Sequence, residues 1–294
     1  MSTSFCCAST DSFKDWARTD SPWGRTPLVE EWEIFGSLGD KRGTSLFLGR
    51  FTLAEVAAVL EKKGLAKEAR KRGLWPLAFD LDASDFPLQR LRIYVEAKSP
   101  DRLIVDLKMK ESVFAPQGKR LAPAPLPSFA CLVFEWLTLQ HPLAAISEAR
   151  GMLPGQRHPG LGMSRKVMDA FIYLGKILHK GGLLAFPAFY HNAVLFSRYF
   201  RFADPEKEAE VRAIHRTFQH VPIKQMAWIV HLGCLRAAEG EIYEWSAAEQ
   251  ILPLRRDVKA YFDSRAYRDA VRAALDDYRF VIDWEAFERK AQQD

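Results

Sequence analysis

Two short stretches, Ala130–Leu139 (ACLVFEWLTL) and Arg157–Gly162 (RHPGLG), decide how this chain is read. The first is a nearly continuous apolar run of β-branched, aromatic and leucine side chains. Such a run predicts a strand buried on both faces. The second lies in a Gly/Pro-rich loop, residues 151–162, and leads straight into a helical pattern over 163–180. Met163, Val167, Phe171, Leu174 and Leu178 recur there at three- and four-residue spacing, and Gly181-Gly182 ends the run. Leu183–Phe189 then predicts a short buried strand, and Asn192 predicts the cap of a helix through about Phe200.

The glycine stretch carries the chemistry. Two glycines one residue apart let a ligand approach the backbone closely. The free N–H groups of the following helix, with its dipole, suit a phosphate. A nucleotide-binding Walker A loop is excluded, because Gly155-x4-Gly160 is followed by Leu161 where lysine is required. A dinucleotide-binding fingerprint is excluded as well, because Arg165 stands where the third small residue belongs. What remains is Arg/Gln-x-x-Gly-x-Gly/Ala. The alternative is a tight turn that only seats the helix on the sheet.

Arg157-His158-Pro159-Gly160-Leu161-Gly162 resembles motif A of the GNAT superfamily of N-acetyltransferases. The run from Asn192 through Phe202 is similar to that family's motif B helix. The resemblance implies a mixed, mostly antiparallel α+β sheet with helices on both faces. It implies acetyl-CoA, or another acyl-CoA, as substrate, with its pyrophosphate on the loop. The residues it puts against the cofactor are Arg157, His158, Gly160, Leu161, Gly162, Met163 and Asn192, and it implies an amine acceptor. The specific match covers about residues 130–202. It departs from the family in a longer loop before the glycines, in Phe196 where a tyrosine acid often stands, and in Arg201-Phe202 for Gly-Phe.

Two residues are candidates for acid–base work. Glu135, in the middle of the apolar strand, would make a base if it faced a cleft, since burial raises a carboxyl pKa. The other reading is a carboxylate paired with a cation or turned outward. Tyr199, one helical turn beyond Phe196, is the candidate acid for the leaving thiolate. Tyr190 and His191 close the strand after the long helix, near the place the resemblance gives the thioester. The expected function is an acyl-CoA-dependent N-acyltransferase; the alternative is a catalytically inactive scaffold or CoA-sensing module on the same fold.

Outward from this centre, residues 1–25 are rich in Ser, Thr and Asp and are expected to be a mobile segment, followed by an α/β domain over 26–203. Ser45–Phe51 reads as a strand. Thr52–Arg72 reads as one or two helices, with Thr52 and Glu55 spaced as a capping box and Gly64 interrupting the run. Leu77–Leu81, Leu91–Glu96 and Leu103–Lys108 read as the strands of a meander, with a turn at Ser99–Arg102, and residues 115–127 are a Pro-rich loop. From Ala203 the texture becomes helical, starting at an Asp204-Pro205 cap, with a further helix over Ser264–Tyr278. This C-terminal extension, 204–294, would either wall off the acceptor site or make a homodimer contact.

Composition bounds the rest. The 294 residues are 48% hydrophobic and 27% charged, which excludes wholesale disorder. No stretch has the roughly 18–20 uncharged apolar residues of a membrane span, and the first residues lack the basic and apolar regions of a secretory signal. Cys6 and Cys7 are adjacent, Cys131 and Cys234 are isolated, and no Cys-x-x-Cys occurs, so neither a disulfide framework nor a cysteine zinc site is predicted. His215 and His220 are spaced for different faces of a helix, and no His-Glu-x-x-His is present, so no metal is predicted. A cytoplasmic protein with reduced thiols is expected. The net charge is +5, and Lys62, Lys63, Lys67, Arg70, Lys71 and Arg72 bunch together. That reads as a solvated helix face; without an aromatic RNA-binding motif, nucleic acid is not expected as a partner.

Overall fold

The computed structural model describes residues 45–145, 152–237 and 240–292; the segment 1–25 lies outside them. A seven-stranded, mostly antiparallel sheet organises the described chain, in a mixed α+β fold. Its order is β1 (Leu77–Asp82), β2 (Gln89–Val95), β3 (Leu103–Phe114), β4 (Phe129–Leu139), β5 (Gly182–Ala185), β8 (Gln250–Pro253) and β6 (Arg201–Phe202). Only β4 and β5 run parallel, over Cys131↔Gly182 to Phe134↔Ala185.

The first four strands pair with their sequence neighbours. Arg90 crosses to Asp106 with two hydrogen bonds of 2.7 Å, tying β2 to β3 on the sheet face. In the β3–β4 ladder Met109 faces Phe134 and Lys108 faces Trp136, so Glu135 is an extra residue, a β-bulge. Parallel pairing with β5 stops at Phe134, beside that bulge.

Helices cover both faces. Helix α3 (Ser164–Ile177) packs on one, with Phe171 against Phe134 at 4.7 Å between ring centres. On the other, Cys131, Val133, Leu184 and Ile251 share a core with Val258 and Tyr261 of α7 (Arg256–Asp263) and with Tyr267 and Val271 of α8 (Arg265–Leu275). Alternate β4 side chains thus meet different helices, the reason for the unbroken apolar run. Upstream, α1 (Leu53–Lys62) starts at the Thr52–Glu55 capping box, and Gly64, with a φ of 71°, starts α2 (Leu65–Lys71). Arg70 of α2 reaches back to Glu61 of α1 with bonds of 2.9 and 3.1 Å.

Three expectations are corrected. Ser45–Phe51 is a tight turn, with Phe47 bridged to Phe51 and Leu48 at a φ of 51°. Its residues are apolar because Phe47, Leu48 and Phe51 are buried, and the amide side chain of Gln89 bonds the turn's backbone at Leu46 and Leu48. Asn192 does not cap its helix: α4 (Tyr190–Phe196) has Phe189 as its cap, which places Asn192 inside the first turn. The C-terminal extension is helical through α5 (Pro205–Thr217), α6 (Ile223–His231), α7, α8 and α9 (Trp284–Ala291), yet it is not a separate layer. Its strand β8 lies between β5 and β6 in the main sheet, while β7 (Leu235–Ala237) pairs with β9 (Phe280–Ile282). Among the described residues no helix is long and apolar enough to cross a membrane.

Candidate functional site

The glycine loop is fastened to the open end of the parallel pair. His141 N–H donates to Pro159 C=O at 2.8 Å, and Leu161 N–H donates to Leu139 C=O at 3.2 Å. These bonds hold the loop against the last residue of β4. Leu161 and Met163 are buried, 4% and 5% exposed, while Gly160 and Gly162, which alternate with them, are exposed. The apolar side chains therefore anchor the loop inward and turn its glycines to the surface. Gly162 has a φ of 69°, where a side chain would be strained. At Gly160 an added Cβ would meet nothing within 4 Å, so the space above the loop is open.

Helix α3 begins directly after the loop. Its cap, Met163, offers no side-chain bond to the first turn. The N–H groups of Gly162, Met163, Ser164, Arg165 and Lys166 meet no acceptor among the described residues. Unsatisfied amides at a helix start, with the positive end of the dipole behind them, make an anion site. The surroundings are basic. The Arg72 guanidinium, at the end of α2, lies 3.4 Å from Gly162 C=O, and the Lys166 ammonium lies near Gly64. Lys63 sits 3.6 Å over the ring of Tyr173. Within this cluster burial raises the Asp169 pKa, against the pull of Arg165, Lys166 and Lys63.

No family model, curated protein or solved structure matches this chain.

The residues singled out in the sequence fall into two groups. Arg157, His158, Gly160, Leu161, Gly162 and Met163 lie together in the loop, Arg157 exposed and His158 half-buried. Asn192 follows β5 in α4, half-buried. The acid–base pair is not assembled in the same way. Glu135 is exposed at the bulge and pairs with Lys110 at 2.6 Å, so it is the cation-paired, outward carboxylate and not a base buried in a cleft. Tyr199 stands in the turn after α4, just before β6, which is two strands from β5 in the sheet. No described contact joins Glu135 to Tyr199. Between Phe134 and Leu139, where the glycine loop takes over, the β5-facing edge of β4 has no described strand beside it, and Trp136 in that stretch and Phe186 just after β5 are 46% and 40% exposed.

Sequence reasoning missed Arg72 as a neighbour of the loop, because helical periodicity places it on a solvated face and says nothing of a contact ninety residues away. It also missed the wall beside β5. Gly155, with a φ of 78°, approaches Phe189 so closely that a Cβ would come within 2.7 Å of the ring. The Trp228 indole donates to Met152 C=O at 2.9 Å. The loop thus rests on the C-terminal extension at one end and on β4 at the other. Among the described residues no group of three or more His, Cys, Asp or Glu could hold a metal ion.

Proposed function

We propose that the chain is an acyl-CoA-dependent N-acyltransferase of the cytoplasm. One observation carries the reading: exposed glycines and free amides at the start of α3, fastened to β4 at Leu139, five residues beyond the last β4–β5 pair at Phe134. Arg165 and Lys166 add positive charge around those amides, with Arg72, paired to Glu68 at 2.8 Å, beside them, which suits a pyrophosphate. The unpaired edge of β4 offers backbone donors for a pantetheine chain and for a carbonyl oxygen acquiring charge. The acceptor nitrogen attacks the thioester carbon; the C–N bond forms, the C–S bond breaks, the nitrogen loses one proton and the thiolate gains one. The protein's share is to hold the two reactants in line and to solvate the oxyanion. The buried free thiols of Cys131 and Cys234 suit a reducing compartment, and burial pushes the Cys131 pKa up to about 11, which keeps it inert.

A second reading is a CoA-binding module without turnover. It is favoured by the Lys110–Glu135 pair, which leaves the bulge without a buried base, and by Phe196.

The test is a melting curve with and without acetyl-CoA, on wild type and on Gly160→Trp. At a hundredfold excess over Kd, binding stabilises by about 2.7 kcal/mol. The tryptophan has room to point outward and cover the loop, so the folded variant is expected to lose the shift. Absence of a shift in wild type, with longer acyl chains as well, overturns both readings. A shift without acyl transfer to any amine in a broad screen selects the module.

A further inference from the structure

A cavity of about 460 Å³ opens just past the end of β5. The segment from Ala188 to His191 forms one wall, the end of α6 a second, and Tyr243–Trp245 a third. Two of the three walls come from the C-terminal extension.

The walls are rigid. The Trp245 indole donates to Pro187 C=O at 3.0 Å, two residues beyond β5, and its ring meets Tyr190 edge-on at 5.8 Å. The Tyr243 hydroxyl donates to the Glu210 carboxylate. Half-buried aromatic rings held by their polar ends, as Tyr243 and Trp245 are, make preformed surfaces for a flat apolar group. His191 stacks on Phe189 at 5.4 Å, and its ring has no hydrogen-bond partner among the described residues. Burial, with His231 nearby, pushes its pKa down to about 4, so at neutral pH it adds no positive charge. Glu244, exposed on the third wall, has no cationic partner among the described residues. The Lys207 ammonium lies 4.5 Å over the Trp245 ring and is itself paired with Glu210 at 2.6 Å, so the cavity combines aromatic surface, the imidazoles of His191 and His231 and one carboxylate, Glu244, without a cationic partner among the described residues. That set favours an organic cation over a neutral molecule of the same shape.

We infer that this cavity binds a primary arylalkylamine in its ammonium form, the aromatic group against Tyr190 and Trp245 and the ammonium toward Glu244. That this amine is the acyl acceptor rests on the acyltransferase reading; the ligand class rests on the cavity alone. On this inference the extension encloses the acceptor site.

The test is calorimetric titration of the full chain with 2-phenylethylamine and, as the uncharged isostere, 2-phenylethanol. The amine is expected to bind at least tenfold more tightly than the alcohol. Glu244→Gln, at an exposed position, should shrink that preference to threefold or less, and Ala188→Trp, which fills the cavity from an exposed site, should abolish binding of both. Neither substitution should alter the acetyl-CoA melting shift. Equal affinity for amine and alcohol, no binding of the amine, a preference that survives Glu244→Gln, or binding that survives Ala188→Trp overturns the inference. An acetyl-CoA shift without amine binding overturns it alone. Amine binding without any acetyl-CoA shift upholds the cavity's ligand class and overturns the acyltransferase reading.

Discussion

The two halves of the sheet are built by different rules. Strands β1 to β4 follow one another in sequence and in space, joined by short turns and one Pro-rich loop. On the far side of β4 the order becomes β5, β8, β6, and β8 arrives from beyond three further helices. The first half is stabilised by neighbours along the chain, the second by distant segments whose closure costs entropy before any contact repays it. The candidate site lies on the seam, where the only parallel pair of the sheet joins the two halves. Parallel pairing needs a crossover, and that crossover, the glycine loop with α3, is the feature that carries the chemistry.

If the halves are one cooperative unit, a cavity cut into the distant half should lower the stability of the whole. Ile251→Ala, at a fully buried position of β8 paired with Leu184 and Arg201, is expected to cost about 2–5 kcal/mol. Denaturant unfolding followed by tryptophan fluorescence and by far-ultraviolet circular dichroism should show one coincident, shifted transition; two separated transitions would mean that the halves unfold independently. Tyr261→Phe probes the stitching between them. Its hydroxyl donates to Ala203 C=O at 2.8 Å and accepts from Ala122 N–H at 2.9 Å, so its loss leaves buried backbone groups unpaired. The expected loss is about 1–3 kcal/mol, read from the same unfolding midpoint. Thr52→Ala, in the locally built part, removes only the α1 cap, at about 1 kcal/mol. A larger loss for Thr52→Ala than for Ile251→Ala would reverse the comparison.

What was legible in the sequence follows the same division. The Thr52–Glu55 box and the Asp204-Pro205 cap are settled within three residues of chain, and both form. The meander shows because alternation and turn chemistry are local. Strands β6, β7, β8 and β9 escape because each spans only two to four residues and exists through a partner elsewhere. Ser45–Phe51 misleads because buried apolar residues read alike in a strand and in a turn covered by Gln89. The glycine loop was legible as a motif, whereas the cavity past β5 was not. Ala188, Val230 and Glu244 share no pattern, and only the fold brings them together.

The bulge at Glu135 has a consequence for how the gene could vary. Phe134 and Leu137 are three residues apart, yet they oppose Met109 and Leu107, which lie on one face of β3. The extra residue absorbs a slip of one in the strand's alternation. An in-frame deletion of the Glu135 codon would leave every flanking side chain on its present face, while straightening β4 at the point where its pairing with β5 ends. Such a deletion would act on the opening between the two strands and spare the core, so that heredity could alter the cleft without rewriting the scaffold.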